Sequence, residues 1–156
     1  MLFRSPWLKP LSFQPAAGWY VGASGTVHAG RSSGTAGPHY PQSTAWTANV
    51  RYRDPATAGP PKPTIDNLGR SGIVVSAVIE PPAGTTKALN LDLRNARPFP
   101  CCNGTPSHTH AFELIGLKGS RRYETIVRVY FGTTPTARLW AVAQEALRRI
   151  QLPRSR

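Results

Sequence analysis

Four side chains that commonly bind metal ions lie close together along the chain: Cys101, Cys102, His108 and His110. Thiolates and imidazoles are ligands that Zn²⁺ and copper ions prefer in proteins. Two histidines at positions i and i+2 of a strand project from the same face, so His108 and His110 can reach one ion. The sequence therefore predicts a zinc or copper site formed by these four residues.

The same residues allow other interpretations. Neighbouring cysteines rarely both reach one ion, and known zinc motifs place about two to four residues between the members of a pair. Cys101 and Cys102 can instead form a vicinal disulfide, whose strained ring is easily reduced, or serve as small buried apolar residues. His108 and His110 are then polar residues at a strand end.

A short stretch resembles the first motif of the cupins, a jelly-roll superfamily that binds metal through two histidines separated by one residue and a later glutamate. Five residues carry the resemblance in order: Gly104, His108, His110, Glu113 and Gly119. In cupins about three or four residues separate the second histidine from the glutamate, whereas two separate His110 from Glu113. On one strand these two side chains face opposite ways, so we expect no cupin site unless a bulge after His110 restores the phase.

Basic side chains are concentrated on one predicted hairpin: Lys118, Arg121, Arg122 and Arg128. The chain has a formal net charge of +12, and only four of its 19 Lys and Arg residues are Lys. Guanidinium groups match phosphate oxygens in a bidentate way, so the hairpin is a candidate site for a polyanion or nucleic acid. The alternative is an ordinary solvated strand face in a chain whose arginines reflect a GC-rich coding sequence.

The candidate residues lie on two predicted strands that lead into a helix. Alternation of apolar and polar side chains predicts strands over 108–117 and 122–131. Thr134 and Pro135 have the residue types of a helix start, and the spacing predicts a helix over about 135–151. One face of this helix is apolar, so we expect it to fold back over a sheet.

Further strands are predicted at 19–23, 26–29, 44–53, 72–80 and 89–94. The run 72–80 is almost continuously apolar and β-branched, which is typical of a strand buried on both faces at the centre of a sheet. Six or seven short strands followed by one helix indicate a mainly β protein (α+β by content). We expect an antiparallel β-sandwich or open barrel with the amphipathic C-terminal helix packed on the sheet.

The length of 156 residues suits one domain. We assign 1–18 to an extended lead-in, 19–152 to a single β-rich domain and 153–156 to a tail. Residues 1–5 (MLFRS) match the translation of a start codon followed by the end of a common sequencing adaptor. We therefore expect that these five residues are not native and that a targeting segment has been lost by truncation.

The sequence contains no long apolar window and no visible signal peptide. Turn-rich β architecture, low Lys content and adjacent cysteines favour an extracytoplasmic or secreted protein, with a cytoplasmic location still open. Because no nucleophile elbow, HExxH motif or P-loop is present, we expect a non-enzymatic binding or structural domain with a polyanion or cell-envelope partner. Metal binding, polyanion or nucleic-acid binding and an enzyme with an unfamiliar site remain alternatives.

The metal interpretation makes a direct prediction. Protein purified without a His-tag contains near-stoichiometric zinc or copper, and the variant combining His108→Ala with His110→Ala loses it. Inductively coupled plasma mass spectrometry, alongside a free-thiol count, measures both quantities. Absence of metal together with two missing thiols would instead indicate a vicinal disulfide.

Overall fold

The computed structural model describes residues 11–27, 42–51, 62–80, 87–99, 110–118 and 123–152. The strands in this part of the chain are β1 Ser12–Phe13, β2 Tyr20–Val27, β3 Gln42–Ala48, β4 Ile73–Glu80, β5 Arg97–Pro98, β6 His110–Lys118, β7 Tyr123–Phe131 and β8 Ile150–Gln151. The helices are α1 Lys62–Asp66 and α2 Ala137–Arg148, with a 3₁₀ turn at Leu93–Asn95. Neither α-helix is long and apolar enough to cross a membrane.

Six strands form one antiparallel sheet in the order β2-β3-β4-β7-β6-β5. The strand β4 lies between β3 and β7, and its residues from Ile73 to Ala77 are all buried. Strands β1 and β8 form a separate two-stranded sheet, in which Phe13 pairs with Ile150. The architecture confirms the mainly β prediction and is consistent with a sandwich or open barrel.

The larger hydrophobic core lies between the helix α2 and one face of the six-stranded sheet. Alternate residues of the two central strands enter it, with Val75 on β4 paired to Val129 on β7. From the helix, Ala143, Ala146 and Leu147 are buried in the same cluster. The strand β7 therefore directs its predicted apolar face to the helix, as the alternation in the sequence indicates.

Aromatic side chains extend this core toward the start of the helix. The ring of Trp140 meets Phe112 and Phe131 edge to face, with centroid separations of 4.6 and 4.9 Å. Such edge-to-face pairs add to the free energy gained by burial. They fix the end of α2 that lies next to strands β6 and β7.

The opposite face of the sheet carries a second, smaller core. Leu68 and Ile65 pack there with Val74 and Tyr130. Trp46 is also on this face and only 1% exposed. A Cβ atom on the cross-strand neighbour Gly22 would lie 2.2 Å from Cζ2 of Trp46, so the ring requires a glycine at this position of β2.

Several predicted elements differ from the structure. The sequence predicts separate strands over 19–23 and 26–29, whose described part includes the single strand β2, and a strand over 44–53, which ends at Ala48. The sequence also predicts a strand over 89–94, but the structure has an isolated bridge just before this segment, at Ala88, and the 3₁₀ turn Leu93–Asn95. The side chain of Gln144 explains the difference, because it accepts a hydrogen bond from the Leu93 N–H (2.8 Å) and donates one to the Leu91 carbonyl (3.0 Å). These bonds hold the segment against α2 in place of a strand ladder.

The helix α2 begins two residues later than its sequence signals suggest. The N-cap is Thr136, whose hydroxyl accepts a hydrogen bond from the Leu139 N–H. After Arg148 the chain leaves the helix and forms β8. Leu11 and Phe13, from the stretch assigned to the lead-in, are buried in the larger core.

The core makes a stability prediction. Leu147→Ala removes a fully buried side chain from α2, and we expect the free energy of unfolding to fall by about 2–5 kcal/mol. The exposed position Arg138 on the same helix is the control, because Arg138→Ala should change stability by no more than about 0.5 kcal/mol. Urea denaturation of both variants measures the effect. Equal losses in both would contradict the assignment of this helix face to the core.

Candidate functional site

The predicted metal ligands are only partly within the described residues. Cys101, Cys102 and His108 lie outside them. His110 is on β6, and its Nε2 atom lies 3.4 Å from the hydroxyl of Thr134. Within the part of the chain that the structure describes, no three His, Cys, Asp or Glu side chains are grouped to hold a metal ion. The metal site therefore remains a prediction from the sequence.

The structure does test the phase of the cupin-like stretch. Strand β6 pairs with β7 without interruption from His110 to Lys118, so no bulge follows His110. His110 and Glu113 consequently lie on opposite faces of the sheet. The expectation that these two side chains face opposite ways is confirmed.

The basic hairpin is also only partly described. Arg121 and Arg122 lie outside the described residues, and of Lys118 only the backbone is described. Arg128 lies on β7 and faces away from α2, on the same face as Tyr130. The structure thus places one of the four predicted polyanion-binding side chains.

Arg128 belongs to a row of charged residues that crosses three strands. Cross-strand pairing places Glu113 of β6 directly opposite Arg128, and Arg97 of β5 directly opposite Glu113. On the other side of Arg128, Ser76 of β4 continues the row. We call Arg97, Glu113 and Arg128 the charged row. All three side chains project from the sheet face opposite α2.

Three neighbours fix the guanidinium of Arg128. Its Nε donates a hydrogen bond to the Glu113 carboxylate, at 2.9 Å between Nε and Oε2. Its Cζ atom lies 5.0 Å from the centroid of the Phe99 ring, in a cation–π arrangement. The hydroxyl of Tyr130 interacts with the same guanidinium and with Ser76.

The electrostatics of this group follow from its neighbours. Burial lowers the pKa of Arg128, but the hydrogen bond to Glu113, the Tyr130 hydroxyl, which is ionised at the high pH where an arginine titrates, and the Glu113 charge outweigh burial and raise it overall. Burial raises the pKa of Tyr130, and the Glu113 carboxylate adds to the increase against the opposing effects of Arg128 and Ser76. Arg128 is therefore charged and Tyr130 neutral at physiological pH.

The charged row remains accessible despite these contacts. The side chain of Arg128 is 41% exposed and that of Glu113 is 21% exposed. Arg97 is exposed and makes no side-chain ion pair or hydrogen bond with the other described residues. Ile115, two residues beyond Glu113 on the same face of β6, is 41% exposed. We call the charged row together with Ile115 the β5–β7 patch.

Most of this patch is not evident from the sequence. Arg128 lies near other basic residues in the chain, Glu113 belongs to the cupin-like stretch, and no motif gives Arg97 or Ile115 a binding role. A usable signal was present, because Glu113 and Arg128 lie on two strands of one predicted hairpin and have opposite charges. Arg97 reaches the row through the longer connection between β5 and β6.

Comparison of the chain with models of protein families, with curated proteins and with solved structures gave no match. The function must therefore be inferred from the geometry of the site itself.

The environment of Tyr130 predicts a pH dependence. Because its folded-state pKa is raised from 10.0, the stabilisation that this shift represents is complete below about pH 10 and is lost as pH rises through the folded-state pKa. We expect a late step in the tyrosinate absorbance titration that disappears in Tyr130→Phe and persists in Tyr20→Phe. The free energy of unfolding of the wild type should also fall more steeply as pH rises above 10 than that of Tyr130→Phe. Identical titrations of wild type and Tyr130→Phe would contradict this assignment.

Proposed function

We propose that this chain is a non-enzymatic binding domain whose β5–β7 patch contacts an anionic group of its partner. The observation that carries the proposal is the state of Arg128, which three side chains hold in place although it is 41% exposed. An exposed arginine usually samples many rotamers. An arginine side chain that is both fixed and accessible can bind an anionic group without first losing this freedom.

Preorganisation of Arg128 lowers the free-energy cost of binding. Immobilising a rotamer-rich side chain costs roughly 0.5–1.5 kcal/mol on binding. Phe99 and Glu113 already restrict Arg128, so little of that cost remains when a partner arrives. Arginine is also among the residues that most often dominate interface energetics.

The second guanidinium gives the patch its charge. Arg128 and Glu113 form an ion pair, whereas Arg97 has no counterpart within the described residues and leaves the charged row with one net positive charge. The formal charge of the chain, +12, adds long-range attraction for an anionic partner. Carboxylate, phosphate and sulfate groups share the planar or branched oxygen geometry that guanidinium binds.

We also propose an extracytoplasmic location with a cell-envelope partner. Its support is the turn-rich β architecture, the low Lys content and the adjacent cysteines of the sequence. Among the alternatives, metal binding has the separate test given above.

A defined heparin oligosaccharide tests the patch. We expect the plot of log K against log salt to become shallower by about two for the variant combining Arg97→Ala with Arg128→Ala, since two anion contacts are lost. Arg97→Ala alone should make the slope shallower by about one, and it leaves the ion pair between Arg128 and Glu113 in place. The binding measurement is fluorescence titration over a range of salt concentrations.

The matched control carries the same change of net charge elsewhere. Arg51 and Arg138 are both exposed, so Arg51→Ala combined with Arg138→Ala removes two positive charges without touching the patch. This variant should retain the wild-type slope. Equal slopes for the patch and control variants, both folded by circular dichroism, would overturn the proposed function.

A further inference from the structure

The charges of the β5–β7 patch alternate in sign along the row. Arg97, Glu113 and Arg128 lie side by side on β5, β6 and β7, giving a positive, a negative and a positive group in that order. A surface that only attracted polyanions would not place a carboxylate between two guanidinium groups. The central Glu113 remains 21% exposed and can be reached by a ligand.

The spacing of the row indicates what geometry a complementary ligand has. Neighbouring strands lie about 4.7–4.9 Å apart, so successive charges of the row are separated by about that distance at the backbone. In an α-helix, residues three or four apart place their Cβ atoms about 5–6 Å from one another. In an extended strand, same-face residues are about 6.6 Å apart, which fits the row less well.

Resting on the proposed function, we infer that the partner is a protein segment that lies as a helix across β5, β6 and β7. It carries a basic residue flanked, one helical turn away on each side, by acidic residues. The basic residue meets Glu113, and the two acidic residues meet Arg97 and Arg128. A uniformly anionic polymer would place a negative group against Glu113 and is therefore disfavoured.

Ile115 supports a protein partner. Its side chain is 41% exposed on the same face of β6 as Glu113, next to the charged row. An apolar residue beside the basic residue of the ligand helix can cover it, which polysaccharides and nucleic-acid backbones do less well. Glu113 then acts as a specificity-determining residue, because it favours a ligand with a basic residue between its two acidic residues. The guanidinium groups alone would not select such a ligand.

Two fluorescein-labelled helical peptides test the inference. The first has Glu, Lys and Glu at positions i, i+4 and i+7, with a Leu beside the Lys. The second differs only in having Glu in place of the Lys. By fluorescence anisotropy at low salt, we expect the wild-type protein to bind the alternating peptide about fivefold more tightly than the all-acidic one.

Variants at position 113 supply the controls. Glu113→Gln keeps the shape of the side chain and an oxygen for Arg128, and it should abolish the preference while strengthening binding to the heparin oligosaccharide. Glu113→Lys should reverse the preference toward the all-acidic peptide. A peptide of the same composition with the Lys moved to the opposite helix face should bind like the all-acidic peptide.

The outcomes separate this inference from the proposed function. The inference of a helical partner with mixed charges is wrong if the all-acidic peptide binds the wild type as well as the alternating one does. It is also wrong if heparin binds through the patch and neither peptide does. In both cases the proposed anion-binding function stands. If the arginine variants leave the salt dependence of heparin binding unchanged, the proposed function itself fails. Retention of the peptide preference in Glu113→Gln would overturn the role of Glu113.

Discussion

Burial of β4 on both faces is the constraint on which the rest of this structure depends. All residues from Ile73 to Ala77 are buried, on both faces of the strand, so both sides of the sheet must be covered. The helix α2 covers one side with Ala143 and Leu147, whereas Ile65 and Leu68 pack on the other. On this second face the smaller core does not bury Arg128 and Glu113, whose side chains stay partly exposed on β7 and β6.

The register of a single hairpin positions the candidate site. Lys118 pairs with Tyr123, and this register brings Glu113 opposite Arg128. A slip of two residues would leave every side chain on its present face but would place Ala111 or Ile115 beside the arginine. The ion pair would then be lost although every side chain kept its face of the sheet. Phe99, which follows β5, and Tyr130 on β7 also contact the guanidinium of Arg128. The site is thus specified by pairing between strands and by no sequence motif.

This dependence explains what could be predicted from the sequence. Periodicity was sufficient for strand β7, for the central place of β4 and for a helix covering the sheet, because these features depend on local alternation and length. It was misleading at Leu91 and Leu93, whose alternation resembles a strand although Gln144 binds that segment to α2. The site was harder still. Arg97 meets Glu113 only through tertiary pairing, and the sequence instead suggested grouping Arg128 with the basic residues nearest in the chain.

The pairing of β1 with β8 has a consequence for how the molecule is made. Ser12 and Gln151 are 139 positions apart, yet the Ser12 hydroxyl donates a hydrogen bond to the Gln151 side chain and the two residues are paired partners. During synthesis β1 leaves the ribosome long before its partner exists, so Leu11 and Phe13 cannot reach their final environment until the last helix has emerged. The two strands also bring distant parts of the chain side by side.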